Sequence, residues 1–225
     1  MSITIANFFS NFAEIYGPIF SERIPPLLIQ HIQLVFLATG IAILIGVPLG
    51  IFLTRPALRK HSQKVLNFVN IGQAVPGLAL IAIFLPILGI GYIPAVVALV
   101  IYGLLPIVRN TIAGLEAVDD KVKEAARGMG MYNNQVLWQI EFPLAFPVIM
   151  AGIKTSAVIT VGTATLAALI GGGGLGRLIF TGISLFRPEF ILAGSGTAAV
   201  LAIIMEKGLS FFERVVVKER MPLDF

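Results

Sequence analysis

An all-α integral membrane protein with about five spans is the fold class that three features of this sequence predict. Of the 225 residues, 57% are hydrophobic and only 12% are charged, whereas a soluble domain carries about 25% charged residues. The apolar residues gather into five runs, each near the roughly 20 residues that a helix needs to cross about 30 Å of hydrocarbon. The basic residues are also shared unequally between the segments that join those runs.

At the amino end, Phe8, Phe12, Tyr16 and Phe20 recur every four residues, which predicts an interfacial helix along one membrane face. Asn11 and Glu14 argue against a span there. The basic region and small-residue cleavage site of a secretory signal are missing, so residue 1 onward is expected to belong to the mature protein.

The first span is expected over residues 27–53, between Pro25–Pro26 and Arg55–Pro56. The second covers 66–88, with Pro76 inside it, and the third 93–113, with Pro106 late in it. The fourth covers 145–170 and the fifth 188–205. A membrane domain over 24–209 thus lies between an interfacial segment, 1–23, and a tail, 210–225. Gly40, Gly46, Gly50, Gly77, Gly152, Gly162, Ala164, Ala167 and Ala168 predict close helix contacts. Pro48, Pro76 and Pro106 each remove an intrahelical donor, leaving a carbonyl for water or a neighbour to satisfy.

Between the third and fourth spans, residues 116–143 hold most of the charge near the middle of the chain. Val122, Ala125, Ala126 and Met129 recur at three- and four-residue spacings, which predicts a short amphipathic helix. Gly128 and Gly130 interrupt it, and Pro143 and Pro147 mark the return to apolar sequence. The pattern fits a helical hook at the membrane surface; an ordinary solvated loop is the alternative. Ala125 and Ala126 would let another backbone approach, and the Glu124 carboxylate could accept a hydrogen bond or pair with a partner's Arg.

With the hook placed in the cytoplasm, the inner segments carry Arg55, Arg59, Lys60, Lys64, Arg109, Lys121, Lys123, Arg127, Lys207, Arg214, Lys218 and Arg220. Outside are only Arg23, Arg177 and Arg187, a 12 to 3 division that predicts an external amino end and an internal carboxyl end. Lys154, about ten residues into the fourth run, must snorkel to the interface, pair within the bundle or face water; snorkelling is expected, because the run has length to spare.

Residues 171–176, GGGGLG, match the dinucleotide fingerprint in letters only: a long apolar run precedes them and Glu189 is the next acid. They are expected to be flexible backbone at a membrane exit, with 177–187 forming a short outer helix. The absence of cysteine excludes a disulfide framework, and His31 and His61 are too few and too far apart to predict a metal centre. No Gly-rich loop ends in Lys and Ser or Thr, so ATP hydrolysis is not expected of this chain. An ATP-driven motion would need another polypeptide, and the hook is the natural coupling point.

From Glu124 the sequence EAARGMGMYNNQVLWQIEFP resembles the cytoplasmic EAA signature of the permease subunits of binding-protein-dependent ABC importers. Glu124, Ala125 and Ala126 match its opening, Gly130 its central glycine, and Ile140 and Pro143 its end, with Phe142 where Leu is usual. The stretches NIGQAVPGLALIAIFLPILGIG, YGLLPIVRNTIAGL, FPLAFPVIMAGIKT and GTATLAALIGGGGLG look like the permeases of osmoprotectant importers, over roughly residues 27–205. Departures are Gly77 where Ser is frequent, Lys154 where Arg is usual, and Arg177 where an acid is common.

The resemblance implies a type I ABC importer permease fold in a bacterial cell membrane, with a cytoplasmic coupling helix. It also implies a second permease subunit, identical or homologous, two ATPase subunits that hold ATP and Mg, and an extracytoplasmic substrate-binding protein. No cofactor in this chain, no metal and no nucleic acid belong to that picture. The implied solute is a quaternary ammonium compound such as glycine betaine, carnitine or choline. A methionine-type amino-acid permease is the alternative, and a non-transport membrane subunit a third. Tight binding of such a cation takes several aromatic faces at roughly 0.5 to 2 kcal/mol each. Tyr102, Tyr92 and Trp138 form no evident cage, so tight recognition is expected in the binding protein. Gln73, Tyr102, Thr163 and Thr165 are the candidates for the translocation path, with helix packing as their alternative role; Arg109 and Asn110 are expected to anchor the root of the hook.

Overall fold

Helix α1, Ile24–Thr54, runs for 31 residues without a single ionisable acid or Lys/Arg side chain. Pro25 and Pro26 open it directly after a π-type turn, Ile19–Arg23. It stops at Thr54, two residues before Pro56, which disfavours helical backbone at Arg55. The structure is a computed structural model that describes residues 17–220. The expected interfacial helix through Phe8, Phe12 and Tyr16 lies outside those residues, as do 221–225 of the tail.

The expected second span is not one helix. Its residues form α2, Ser62–Ala74, and α3, Gly77–Leu88, separated by Val75 and Pro76 with ψ of 128° and 139°. Pro76 lacks the N–H that a continuous helix needs, and its ring pushes Val75 into extended backbone. Pro48 and Pro106, in contrast, lie inside unbroken helices. The third run forms α4, Tyr92–Glu116. The hook holds α5, Asp120–Gly128, and α6, Asn133–Val136, and a π-type turn, Leu137–Glu141, leads into α7, Phe142–Ala164.

The end of the fourth run tightens into a 3₁₀ turn, Thr165–Ile170. Beyond the glycines stands α8, Gly176–Ser184, where a short helix is expected. The last helix, α9, Pro188–Arg220, is one 33-residue helix and passes without a break well beyond the apolar run. Among the described residues four helices are long and apolar enough to cross a membrane, five if the broken α2–α3 pair counts as one span. Phe36, Leu44 and Phe52 on α1 and Ile203 and Ile204 on α9 are exposed, the apolar outer faces that lipid or a partner subunit would cover.

Two compact units divide the chain. One comprises residues up to 38, 76–99 and 160–203; the other comprises 39–75, 100–159 and 204 onward. The core of the first gathers Ile19, Ile24, Leu178, Phe190 and Ala193, with the Arg23 guanidinium 5.5 Å from the Phe190 ring centre. The second packs Ala42, Ile51, Ile107, Leu115, Ala145 and Ile149 around α1, α4 and α7. Its helices approach closely at glycines: a Cβ on Gly50 would stand 2.5 Å from Thr111 Cβ, and one on Gly152 2.7 Å from the Pro106 carbonyl oxygen. A Cβ on Gly40 or Gly162, both expected to make such contacts, would meet no other part of the described structure within 4 Å beyond its own helix backbone.

Lys154 does not rely on snorkelling. Its ammonium meets Glu213 of α9 at 2.7 Å, with the side chains 24% and 19% exposed. Removing one partner leaves a poorly hydrated charge unpaired. Lys154→Ala is expected to destabilise the protein by about 2 kcal/mol, and Lys154→Ala/Glu213→Ala to lose less than the sum of the single changes. Thermal unfolding in detergent checks this, and strict additivity would contradict the pairing.

Candidate functional site

The hook begins with a cap. The Asp119 carboxylate accepts from the backbone N–H of Lys121 at 2.9 Å, satisfying one donor of the first turn of α5. Asp120 follows, and Lys123, 3.0 Å away, holds its carboxyl below the usual carboxylate range. The helix ends in a Schellman arrangement: Met131 N–H donates to the Ala126 carbonyl at 3.2 Å and Gly130 N–H to that of Arg127 at 2.9 Å. That closure requires a left-handed residue, and Gly130 supplies it with φ +88°.

Of the expected apolar stripe, only Ala126 is buried. Glu124 and Ala125 are exposed, as are Val122, Met129 (77% exposed) and the following Tyr132 (79%). The apolar side of α5 is therefore left largely uncovered by its own chain. Tyr132 N–H donates to Gln135 Oε1 at 2.8 Å, starting α6. Ile140 and Pro143 are half-buried around the π-type turn, and Trp138, Phe142 and Phe146 step along one face with centroids 5.3 and 6.3 Å apart.

Charged pairs tie this region to its surroundings. Arg55, just past α1, reaches Glu141 at 2.5 Å, and Arg59 stands 3.8 Å from Glu116 at the end of α4. Arg109 donates to Asn70 Oδ1 at 3.0 Å, so it joins α4 to α2, while Asn110 turns back to the Pro106 carbonyl at 2.8 Å.

The path candidates separate into two settings. Gln73 Nε2 donates to the Tyr102 carbonyl at 2.7 Å, and the Tyr102 hydroxyl donates to the Val75 carbonyl. The Tyr102 hydroxyl thus takes up the Val75 carbonyl freed by the break at Pro76, and Gln73, at the end of α2, takes up a carbonyl inside α4 four residues before Pro106, which has no N–H to donate to it. Thr165 Oγ1 bonds the Gly162 carbonyl at 2.7 Å and is half-buried at the start of the 3₁₀ turn. Thr163, near the end of α7, also has an interaction partner.

Sequence reasoning missed Gln30 and His31. Gly173 and Gly174 take φ of +83° and +81°. The Gly174 N–H donates to Gln30 Oε1 at 3.2 Å, and the Leu175 N–H to His31 Nδ1 at 3.3 Å. His31 Nε2 then donates to the Val161 carbonyl at 3.1 Å, which fixes the proton on Nε2, since a carbonyl only accepts. A Cβ on Gly173 would lie 2.6 Å from Gln30 Oε1. The glycine run is thus a clamped turn, and two adjacent polar residues in an apolar run were the signal for it.

Residues 46–210 match the family described as binding-protein-dependent transport system inner membrane component. The chain is 45% identical over 187 residues to the glycine betaine/carnitine/choline transport system permease protein OpuCB of Bacillus subtilis, covering 83% of this chain and 85% of that one. It is 45% identical to the carnitine transport permease protein OpuCB of Listeria monocytogenes, covering 86% and 89%. A chain of the MetNI methionine ABC transporter, crystallised in inward-facing conformations, superposes with a TM-score of 0.77 at 23% identity, over 87% of this chain and 99% of that one.

Proposed function

Because the chain belongs to the family of binding-protein-dependent transport system inner membrane components, we propose that it is the permease subunit of an ATP-driven importer of quaternary ammonium osmoprotectants such as glycine betaine, carnitine or choline. Its fold is the all-α, type I importer permease fold in a multi-pass membrane protein. The solute follows the relatives at 45% identity. The methionine transporter, at 23%, shares the fold, and nothing in this chain favours an amino acid over the quaternary amines.

The observation that carries the coupling part is the state of α5: capped at Asp119, closed at Gly130, with Val122, Met129 and Tyr132 exposed. An apolar helix face uncovered by its own chain is what a helix seated in a groove of another protein presents. On this reading Glu124 and Ala125 are seated on the ATPase, Ala126, buried in its own chain, serves the coupling by fixing α5 in place, and Gly130, Ile140 and Pro143 shape the return to α7. The hook and the carboxyl end are cytoplasmic and the amino end is extracytoplasmic. ATP and Mg are held by the ATPase subunits, and a second permease and a substrate-binding protein complete the complex.

Gln73, Tyr102, Thr163 and Thr165 are the residues proposed along the path. Support for the first two comes from the break they hold, since irregular backbone at membrane depth occurs where it is buried in protein or lines a watery cavity. The test is uptake by proteoliposomes that contain the complete complex. ATP-dependent accumulation of at least one of glycine betaine, choline and carnitine is expected. Uptake of methionine with none of these three would overturn the assignment of solute.

A further inference from the structure

Among the described acidic residues only Glu141 is buried; its side chain is 6% exposed and has Arg55 as its counter-charge at 2.5 Å. Arg55 is itself held in place. Its Nε and Nη2 donate to Thr54 Oγ1 at 3.2 and 2.9 Å, and that hydroxyl donates to the Ile51 carbonyl at 2.8 Å. A continuous polar chain therefore runs from the last turn of α1 through Thr54 and Arg55 to the π-type turn, Leu137–Glu141, at the exit of the hook. Such turns insert an extra residue into a helix and recur at functional positions.

A buried carboxylate with one counter-charge tolerates little movement. Parting the pair by a few ångströms leaves a charge unpaired where water screens it poorly, whereas the Asp120–Lys123 pair, with Asp120 88% exposed, can open and rehydrate. We propose that Arg55 and Glu141 are positioning residues of the transport cycle: an ionic strut that makes the exit of the hook and the end of α1 move as one body. The inference rests on the reading of the hook as the ATPase-coupled element. Arg55 and Glu141 contact neither the ATPase nor the solute in this account; they pass on the displacement that the ATPase imposes on α5. Buried pairs of this kind contribute little net stability against apolar replacements, so a role in holding geometry is the one that explains a carboxylate kept at this depth.

The test uses the complete complex in proteoliposomes, measuring ATP hydrolysis and solute uptake together. Glu141→Gln is nearly isosteric and is expected to assemble with the ATPase and retain hydrolysis. Its uptake per ATP should fall by about tenfold, the scale of coupling changes along such networks. Exchange of the charges, Arg55→Glu/Glu141→Arg, is expected to recover part of that ratio; a merely structural role would lower assembly or stability and leave uptake per ATP unchanged in the complexes that form. Wild-type uptake per ATP in Glu141→Gln would overturn the strut. Should that variant fail to assemble, the exchanged pair carries the same test: recovered coupling supports the strut and unrecovered coupling overturns it. A wild-type complex that hydrolyses ATP without moving any quaternary amine would instead fault the proposed function and is distinguishable from both results.

Discussion

Glu124→Arg is expected to leave the protein folded in the membrane and to remove its ATPase. Glu124 is exposed on α5: among the described residues its side chain has no hydrogen-bond partner, and it lies on a helix capped by Asp119 and closed at Gly130. Reversing its charge therefore leaves α5 intact while placing a cation where, on the proposed reading, the ATPase would meet an anion. An interface hot spot contributes about 2 kcal/mol, so the ATPase should bind about thirtyfold more weakly, and uptake should fall in proportion. Gly130→Val reaches the same end by another route. Nothing lies within 4 Å of its Cβ position, so the cost comes from backbone alone, a β-branched residue forced to φ +88°. About 1 to 2 kcal/mol of strain should undo the Schellman closure and misdirect the return to α6. Co-purification of the ATPase with each variant checks both, and full recovery of the ATPase with wild-type uptake would contradict the seat assigned to α5.

The largest effect on stability is expected at the turn beyond α7. A Cβ on Gly176 would stand 1.8 Å from the Thr165 carbonyl oxygen and 2.7 Å from its carbon. Both are backbone atoms that no rotamer change can move aside. Gly176→Ala must separate α8 from the 3₁₀ turn, and a loss of more than about 3 kcal/mol is expected. Gly162→Ala is the matched control, because its Cβ would meet nothing within 4 Å and Gly162 lies inside α7. A gain of up to about 1 kcal/mol from helix propensity is expected there. Thermal unfolding of the two purified variants separates these outcomes, and similar melting temperatures would contradict the packing of the turn.

These two glycines show where sequence stopped being informative. Gly162 belongs to a small-residue pattern that predicts close helix contact and Gly176 to a run expected to be flexible, yet it is Gly176 that meets backbone and Gly162 open space, an outcome set by contacts remote in sequence. The spans from α1 and α4 were legible because each is a long apolar run with clear ends, whereas for α9 only the apolar part was legible and the helix runs on to Arg220. Pro76 was harder. Pro48 and Pro106 are carried inside helices while Pro76 breaks one, and the partner that takes up the Val75 carbonyl at the break is the Tyr102 hydroxyl, 27 residues away.

Within the hook, the periodicity of Val122, Ala125, Ala126 and Met129 located α5, and Gly130 located its end. Periodicity could not tell that the apolar side would stay exposed, because amphipathic spacing reads the same whether a helix faces its own core or a partner. Lys154 was legible as a problem and not as a solution, since Glu213 lies 59 residues on. Arg55 and Glu141, 86 residues apart, gave no sign in sequence of meeting.

The central claim is that an exposed cytoplasmic helix receives the ATPase's motion. The chain contains no cysteine, so Glu124→Cys places a single thiol in this subunit at the position that matters. In the complete complex the account predicts that this thiol is protected from a membrane-impermeant reagent added to the outside of intact cells and that it crosslinks to the ATPase. Labelling from the outside, or no nucleotide-hydrolysing protein within crosslinking reach, would contradict it.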